Sequence, residues 1–280
     1  MFWSLILDLE IYLLFGAWNL GFGIFNNHSV FVCRTWNTNL AKSHLALESI
    51  TDDLSAQLRP LKFSAPITHV YNPLEYARAP YSKYLRRYAK SPKEIVLIGM
   101  NPGPWGMAQT GIPFGEVTAV RDWLNIEGVV GTPADIHPKR PISGFNCPRS
   151  EVSGKRIWGW ARKKFETPQI FFSRFFIANY CPLQFIEAGG RNRTPNQLRA
   201  AERKALFAAC DRALHRTVEQ LNPRYVVGVG RFTTERARIA LKDLSVEIGG
   251  ITHPSPANPK ANRGWEAIVE KEFEEMGIAL

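Results

Sequence analysis

Residues 94–115 read Glu-Ile-Val-Leu-Ile-Gly-Met-Asn-Pro-Gly-Pro-Trp-Gly-Met-Ala-Gln-Thr-Gly-Ile-Pro-Phe-Gly. The apolar run Glu94–Gly99 is too short for a helix and runs straight into Gly and Pro, so it predicts a buried strand opening into a stiff loop. Working outward, RYVVGVG at Arg224–Gly230 and the segment Val246–Thr252 read the same way, as does IFFSRFFIANY at 170–180. Between these strands the apolar spacing turns helical, over about 45–60, 81–90, Glu116–Asn125, Val152–Phe165 and 231–244. Thr194 before Pro195, a capping side chain followed by proline, predicts a helix start there and a helix to about Gln220. A basic, proline-containing loop covers 131–153, and an acidic helix closes the chain after the loop His253–Trp265. Strands alternating with helices predict an α/β domain over 45–280, with a parallel sheet covered on both faces.

Composition narrows the function classes. Of 280 residues, 45% are apolar and 21% charged, the balance of an ordinary globular chain. The four cysteines are scattered without a C-x-x-C pair, which argues against a disulfide scaffold, an iron–sulfur cluster or a zinc ribbon. Thirty-five basic against 25 acidic side chains give +10, and residues 1–65 hold four basic and five acidic ones, so the remainder carries +11. Such a surface points to a polyanionic partner, most simply nucleic acid. Residues 1–44 read as an N-terminal extension. Asp8 and Glu10 interrupt its apolar stretch, the run Ile11–Asn26 falls short of the ~20 residues a membrane span needs, and no Lys or Arg precedes it as in a secretory signal. No membrane partner is expected.

Polar clusters follow three of the strands at their carboxyl ends, where open α/β sheets form their ligand crevice. They are the loop 100–115, Asn179-Tyr-Cys-Pro182 and His253-Pro-Ser-Pro256. The first lacks the Gly-Lys-Ser/Thr ending of a phosphate-binding loop. Singly, each has a plain structural reading: Asn179 as a turn former, His253 as a loop residue, Cys181 as a small buried apolar group. Together they carry more.

MNPGPWGMAQTGIPFGEV with HPSPANPKANRGW, joined by EVSGKRIWGW, FFIANYCPL and RNRTPNQL, resembles the single-strand-selective monofunctional uracil-DNA glycosylase family, over roughly residues 60–275. The resemblance implies a three-layer fold with a four-stranded parallel sheet flanked by helices. It implies a monomeric glycosylase without lyase activity, cofactor or metal, which hydrolyses the N-glycosidic bond of uracil and oxidised pyrimidines such as 5-hydroxymethyluracil. The substrate would be single- and double-stranded DNA, as the first step of base excision repair, in the cytoplasm of a bacterium or the nucleus of a eukaryote. By the same resemblance Asn101 positions the attacking water and His253 donates to uracil O2. Asn179 pairs with the uracil edge, Phe114 stacks on the flipped ring, and Met100, Gly103 and Met107 line the pocket. Pro254, Ser255, Pro256, Ala257, Asn258, Lys260 and Arg263 would meet DNA.

Two departures stand out. Trp105 replaces the Phe of many members, and Ala257 stands where some carry Arg, in the segment that probes the duplex. Beside the resemblance, residues 139–166 hold eight Lys and Arg against Glu151 and Glu166, a basic stretch suited to phosphate contacts. A metal-dependent nuclease would need clustered carboxylates or histidines that the loop motifs lack. A non-catalytic nucleic-acid module would not need a polar pocket converging on one base.

Overall fold

The computed structural model describes residues 44–280, so the expected N-terminal extension lies outside the described residues except for His44. The described chain runs α1 (44–58), β1 (Ile67–Tyr71), α2 (Pro73–Tyr76), α3 (Arg78–Tyr88), β2 (Ile95–Gly99), α4 (Met107–Thr110), α5 (Val152–Phe165), α6 (Pro168–Arg174) and β3 (Phe175–Asn179). It continues through β4 (Gln184–Glu187), β5 (Asn192–Arg193), α7 (Ala200–Leu221), β6 (Tyr225–Val229), α8 (Arg231–Ala240), β7 (Glu247–Ile251) and α9 (Trp265–Glu275).

Four strands form one parallel sheet in the order β3-β2-β6-β7. β2 and β6, in its centre, are buried at every residue, which is why their sequences run continuously apolar rather than alternating. Aromatic side chains join the flanking helices to it. Trp160 of α5 stacks on Phe273 of α9, with ring centroids 5.7 Å apart, and meets Phe171 of α6 and Phe175 of β3 edge-on. From α3, Tyr84 stacks on Phe176 and donates its hydroxyl hydrogen to the Ile177 carbonyl at 2.8 Å, so a buried polar group is satisfied where α3 crosses β3.

Two local expectations need correction, the helical one over Glu116–Asn125 is met in a wider form, and one sheet was not expected. The stretch 170–180 is not one strand: Thr167 accepts the Ile170 N–H at 3.4 Å, Pro168 follows it, and helix α6 takes the first half. The helix expected from Thr194 is a single tight turn, Pro195–Gln197; after an extended Leu198, α7 begins where Glu202 caps the Arg199 N–H at 3.1 Å. Glu116–Asn125 winds as a wide π turn over Ala119–Trp123, its start held by Glu116 accepting the Ala119 N–H at 2.9 Å. A second, antiparallel sheet in the order β1-β4-β5 was not anticipated, because β1 and β4 are short and sit among prolines.

α5 presses against the loop that ends in Phe114. Trp158 donates its indole N–H to the Phe114 carbonyl at 2.9 Å, and a Cβ on Gly154 would collide with that same carbonyl oxygen. Gly159, on the same helix, has nothing within 4 Å of where its Cβ would be. The two glycines therefore respond to alanine with opposite signs. Gly159→Ala should raise stability by about 0.5–1 kcal/mol, the ordinary helical gain. Gly154→Ala should lower it by about 1–3 kcal/mol through overpacking. Chemical denaturation of both variants reads the two signs, and a stabilising Gly154→Ala would contradict the packing described.

Candidate active site

The carboxyl ends of β2, β3 and β7 bring Asn101, Asn179 and His253 to one edge of the parallel sheet. Gly99 and Asn179 are direct partners in the β2–β3 pairing. The chain after Gly99 stays tied to the chain after Asn179, Tyr180 N–H to Gly99 carbonyl at 2.8 Å and Cys181 N–H to Met100 carbonyl at 2.9 Å. Gly99 has to be bare. A Cβ there would run into the Asn179 Oδ1 and stand 2.7 Å from the Phe114 ring. The three residues thus share one small space, with Phe114 held at a left-handed φ of 52° beneath it.

Both carboxamides are oriented by their neighbours. Asn101 donates through Nδ2 to the Leu183 carbonyl at 3.2 Å, which leaves Oδ1 available to accept from a water. Asn179 Nδ2 lies 3.0 Å from Met107 Sδ, an acceptor only, which fixes the amino end on that side and the carbonyl end over Gly99. An edge that accepts with Oδ1 and donates with Nδ2 matches an N3–H next to a C4 carbonyl, and mismatches the reversed edge of cytosine.

His253 is held more elaborately. Its Nδ1 accepts the Ser255 N–H at 3.0 Å, so the hydrogen of the neutral ring sits on Nε2. Burial pushes its pKa down to about 4, and the imidazole is therefore neutral near pH 7. Its ring centroid lies 6.3 Å from that of Phe114. The preceding Thr252 is clamped by Glu272, which accepts its N–H at 2.7 Å and its hydroxyl at 2.6 Å. Trp265 donates to the Thr252 carbonyl at 2.7 Å. The following loop is stapled by Arg156 of α5, whose guanidinium donates to the Pro254 carbonyl at 2.8 Å and to Asn262 Oδ1 at 2.9 Å.

The residues expected to meet DNA divide accordingly. Pro256, Ala257, Lys260 and Arg263 are exposed on the loop after His253, and Pro254 is buried. Ser255 and Asn258 shape the loop itself, Ser255 Oγ accepting the Ala257 N–H and Asn258 Nδ2 donating to the His253 carbonyl, at 3.2 and 3.1 Å. Of the basic stretch 139–166, Lys163 and Lys164 pair with Glu266 and Glu270 of α9 at 2.8 and 3.5 Å, and Arg156 is the staple. Met100 and Gly103 are half-buried at the pocket loop. The side of Gly103 that a side chain would occupy is filled by the Glu151 carboxyl, which also sits against Gly106.

Sequence reading missed Glu272, Trp158 and Glu151 and counted Arg156 among the phosphate contacts rather than as the staple it is; all four act on the site from a distance in sequence. Only Glu151 left a local signal, one of two acids in a basic stretch.

Comparison with known proteins identifies the family. The profile of the Uracil DNA glycosylase superfamily matches residues 86–275. The Single-strand selective monofunctional uracil DNA glycosylase of Mus musculus is 50% identical over 227 residues, 80% of this chain and 81% of its own length. The Bos taurus and Rattus norvegicus proteins are 50% identical over the same share of this chain, covering 84% and 82% of their own. The chain belongs to the single-strand selective monofunctional uracil-DNA glycosylase family. Among solved structures, wild-type Pedobacter heparinus SMUG2 matches with a TM-score of 0.58 at 17% identity, over 81% of this chain and 97% of that one. At that identity the likeness concerns the fold, and it is the parallel-sheet fold described above.

Glu151 gives the site a pH signature. Burial, with the charge of Glu116 adding to it, raises its carboxyl from 4.5 to about 7, and its Oε2 has no hydrogen-bond partner among the described residues. A folded value above the unfolded one means that stability is fullest below about 4.5 and declines as pH rises towards 7. Glu151→Gln should therefore melt at a higher temperature than the unchanged protein at pH 8 and at the same temperature near pH 5. An equal difference at both pH values in calorimetric scans would show that the carboxyl is not held neutral.

Proposed function

We propose that the protein removes uracil from DNA as a monofunctional glycosylase, flipping the nucleotide into the pocket between Phe114, Asn179 and His253 and leaving an abasic site. The observation that carries the reading is a neutral His253 with its hydrogen on Nε2, at the same carboxyl edge of the parallel sheet as two oriented carboxamides.

Breaking the bond between C1′ and N1 builds positive charge on the sugar and negative charge on the departing base. His253 Nε2–H donates to uracil O2 as that charge appears. One such donor in a dry site contributes about 3–4 kcal/mol. A neutral imidazole keeps its hydrogen through the step, so uracil leaves as an anion. Asn101 Oδ1 accepts from the water whose oxygen attacks C1′; a carboxamide is too weak a base to take the proton, so its contribution is orientation, and the proton passes to solvent. Asn179 accepts from N3–H and donates to O4, and cytosine in that place would leave buried groups unpaired. The base has to leave the stack to reach this pocket, which costs least in a single strand.

Single-stranded DNA is accordingly the preferred substrate. The curated relatives are named as single-strand selective and monofunctional. Matched duplex is a poorer substrate, since the exposed wedge offered by the loop after His253 is built of small residues, Pro256, Ala257 and Pro259. Met107, flexible and adaptable beside Asn179, leaves room for 5-substituted uracils such as 5-hydroxymethyluracil.

Incubation with uracil-containing single-stranded DNA in EDTA, followed by alkali, tests this reading. Strand breaks should appear only after alkali, and Asn101→Ala should slow single-turnover excision by about a hundredfold or more while DNA binding survives. Breaks before alkali, or excision by Asn101→Ala at the unchanged rate, would contradict it.

A further inference from the structure

Beside the pocket loop, two guanidinium groups share one indole ring. The Cζ of Arg149 lies 4.5 Å, and that of Arg140 5.2 Å, from the Trp105 ring centroid. Trp105 is four residues past Asn101 on the same turn, and Arg149 is two residues before Glu151, which sits against Gly103 and Gly106. The cluster is built on a fixed frame. Gln109, wholly buried, donates to the Pro104 carbonyl at 2.9 Å and to the Pro141 carbonyl at 3.0 Å, so it bridges the turn that carries Trp105 to the segment that carries Arg140. Tyr71 donates to the Arg140 carbonyl at 2.9 Å and locks the same segment from the opposite side.

Two like charges placed this close repel, and burial, with the field of Arg149 adding to it, pulls down the pKa of Arg140. Among the described residues neither arginine has an ion pair, and the exposed Arg149 guanidinium has no hydrogen-bond partner. The remaining nearby acid, Glu151, turns its carboxyl to the glycines. Stacking uses the face of a guanidinium and leaves its in-plane N–H fork free. An unneutralised pair of this kind, held open by an aromatic ring, suits a phosphodiester, whose oxygens match that fork and whose charge relieves the repulsion.

We propose that Arg140 and Arg149, stacked on Trp105, clamp one backbone phosphate of the substrate strand within a nucleotide or two of the flipped uridine. This rests on the glycosylase reading above. It also separates two kinds of cation in the basic stretch: Arg156, Lys163 and Lys164 serve the protein's own loops and helices, whereas in the Trp105 pair Arg149 is exposed with its donors unused and Arg140 gives only Nη1, to the carbonyl of its neighbour Lys139 at 3.1 Å. A free phosphate ion offers the same chemistry, and the test distinguishes the two sources.

The test uses the full-length chain and a single-stranded oligonucleotide with one 2′-fluoro-deoxyuridine, whose electron-poor sugar resists hydrolysis. Affinity is measured against salt for the unchanged protein, Arg149→Gln and Lys271→Gln. Lys271 lies on α9, exposed and paired with Glu275, so that variant removes the same charge far from the cluster. Arg149→Gln should flatten the plot of log affinity against log salt by about 0.7, one phosphate's worth on a single strand. Lys271→Gln should leave the slope as it is. Neutral methylphosphonates are then placed one at a time around the uridine. One position should weaken binding several-fold in the unchanged protein and cause no further loss in Arg149→Gln. Inorganic phosphate at millimolar concentration should compete only weakly.

Equal slopes for Arg149→Gln and the unchanged protein, or a methylphosphonate profile that Arg149→Gln leaves intact, would overturn the clamp. Tight competition by inorganic phosphate would overturn the backbone assignment as well. Excision from the matching deoxyuridine strand is the independent control. If the unchanged protein excises no uracil, the glycosylase reading fails, whatever the salt slopes show; if it excises and the slopes coincide, the clamp alone fails.

Discussion

A neutral imidazole with its hydrogen on Nε2 is the constraint on which the proposed site depends. Among the described residues His253 has no carboxylate partner to raise its pKa, and burial lowers it to about 4. The ring orientation comes from a backbone N–H, that of Ser255, two residues on. That hydrogen bond exists only if the loop turns back immediately after the histidine. The turn is secured from three directions: Glu272 and Trp265 hold the residue before His253, Arg156 holds the residue after it, and Asn258 holds its own carbonyl. In the proposed reaction a charged imidazolium would be a stronger donor but would have to be kept in a dry site at the cost of desolvating a full charge. A neutral, preoriented donor avoids that cost and retains most of the electrostatic benefit.

The parallel sheet supplies the second half of the arrangement. It places the ends of β2, β3 and β7 on one edge, so residues about 80 and 150 positions apart in sequence come to the same edge without any of their loops having to cross. The price of that closeness is paid in side-chain volume. Gly99 faces the Asn179 carboxamide and the Phe114 ring, and Gly154 faces the Phe114 carbonyl, so two bare backbone positions let the loops approach. Helix α5 serves both sides of the pocket at once, through Trp158 to Phe114 and through Arg156 to the loop after His253.

Much of this was legible in the sequence, and the reason is physical. Central strands such as Ile95–Gly99 and Tyr225–Val229 are buried on both faces and so read as unbroken apolar runs, and the polar residues straight after them stand out. What stayed hidden has two causes. Short-range chemistry overrode pattern where a cap intervened, as Thr167–Pro168 did in turning the apolar 170–174 into helix rather than strand. Long-range pairing leaves no local trace, as for Arg156 reaching 98 residues to Pro254, or Glu272 reaching back 20 to Thr252. The basic stretch shows the limit of composition. Its charge was countable, but which cations face outward and which are consumed by α9 depended on a helix a hundred residues away.

The central claim, a neutral His253 with its hydrogen on Nε2, is open to direct observation by nitrogen-15 NMR of the imidazole side chains at pH 7, with His253→Gln used to assign the resonance. The account predicts an Nδ1 shift typical of an unprotonated, hydrogen-bonded ring nitrogen and an Nε2 shift typical of a protonated one, unchanged as pH falls from 7 to 5.5. Two protonated-type shifts at pH 7, or the hydrogen on Nδ1, would contradict it.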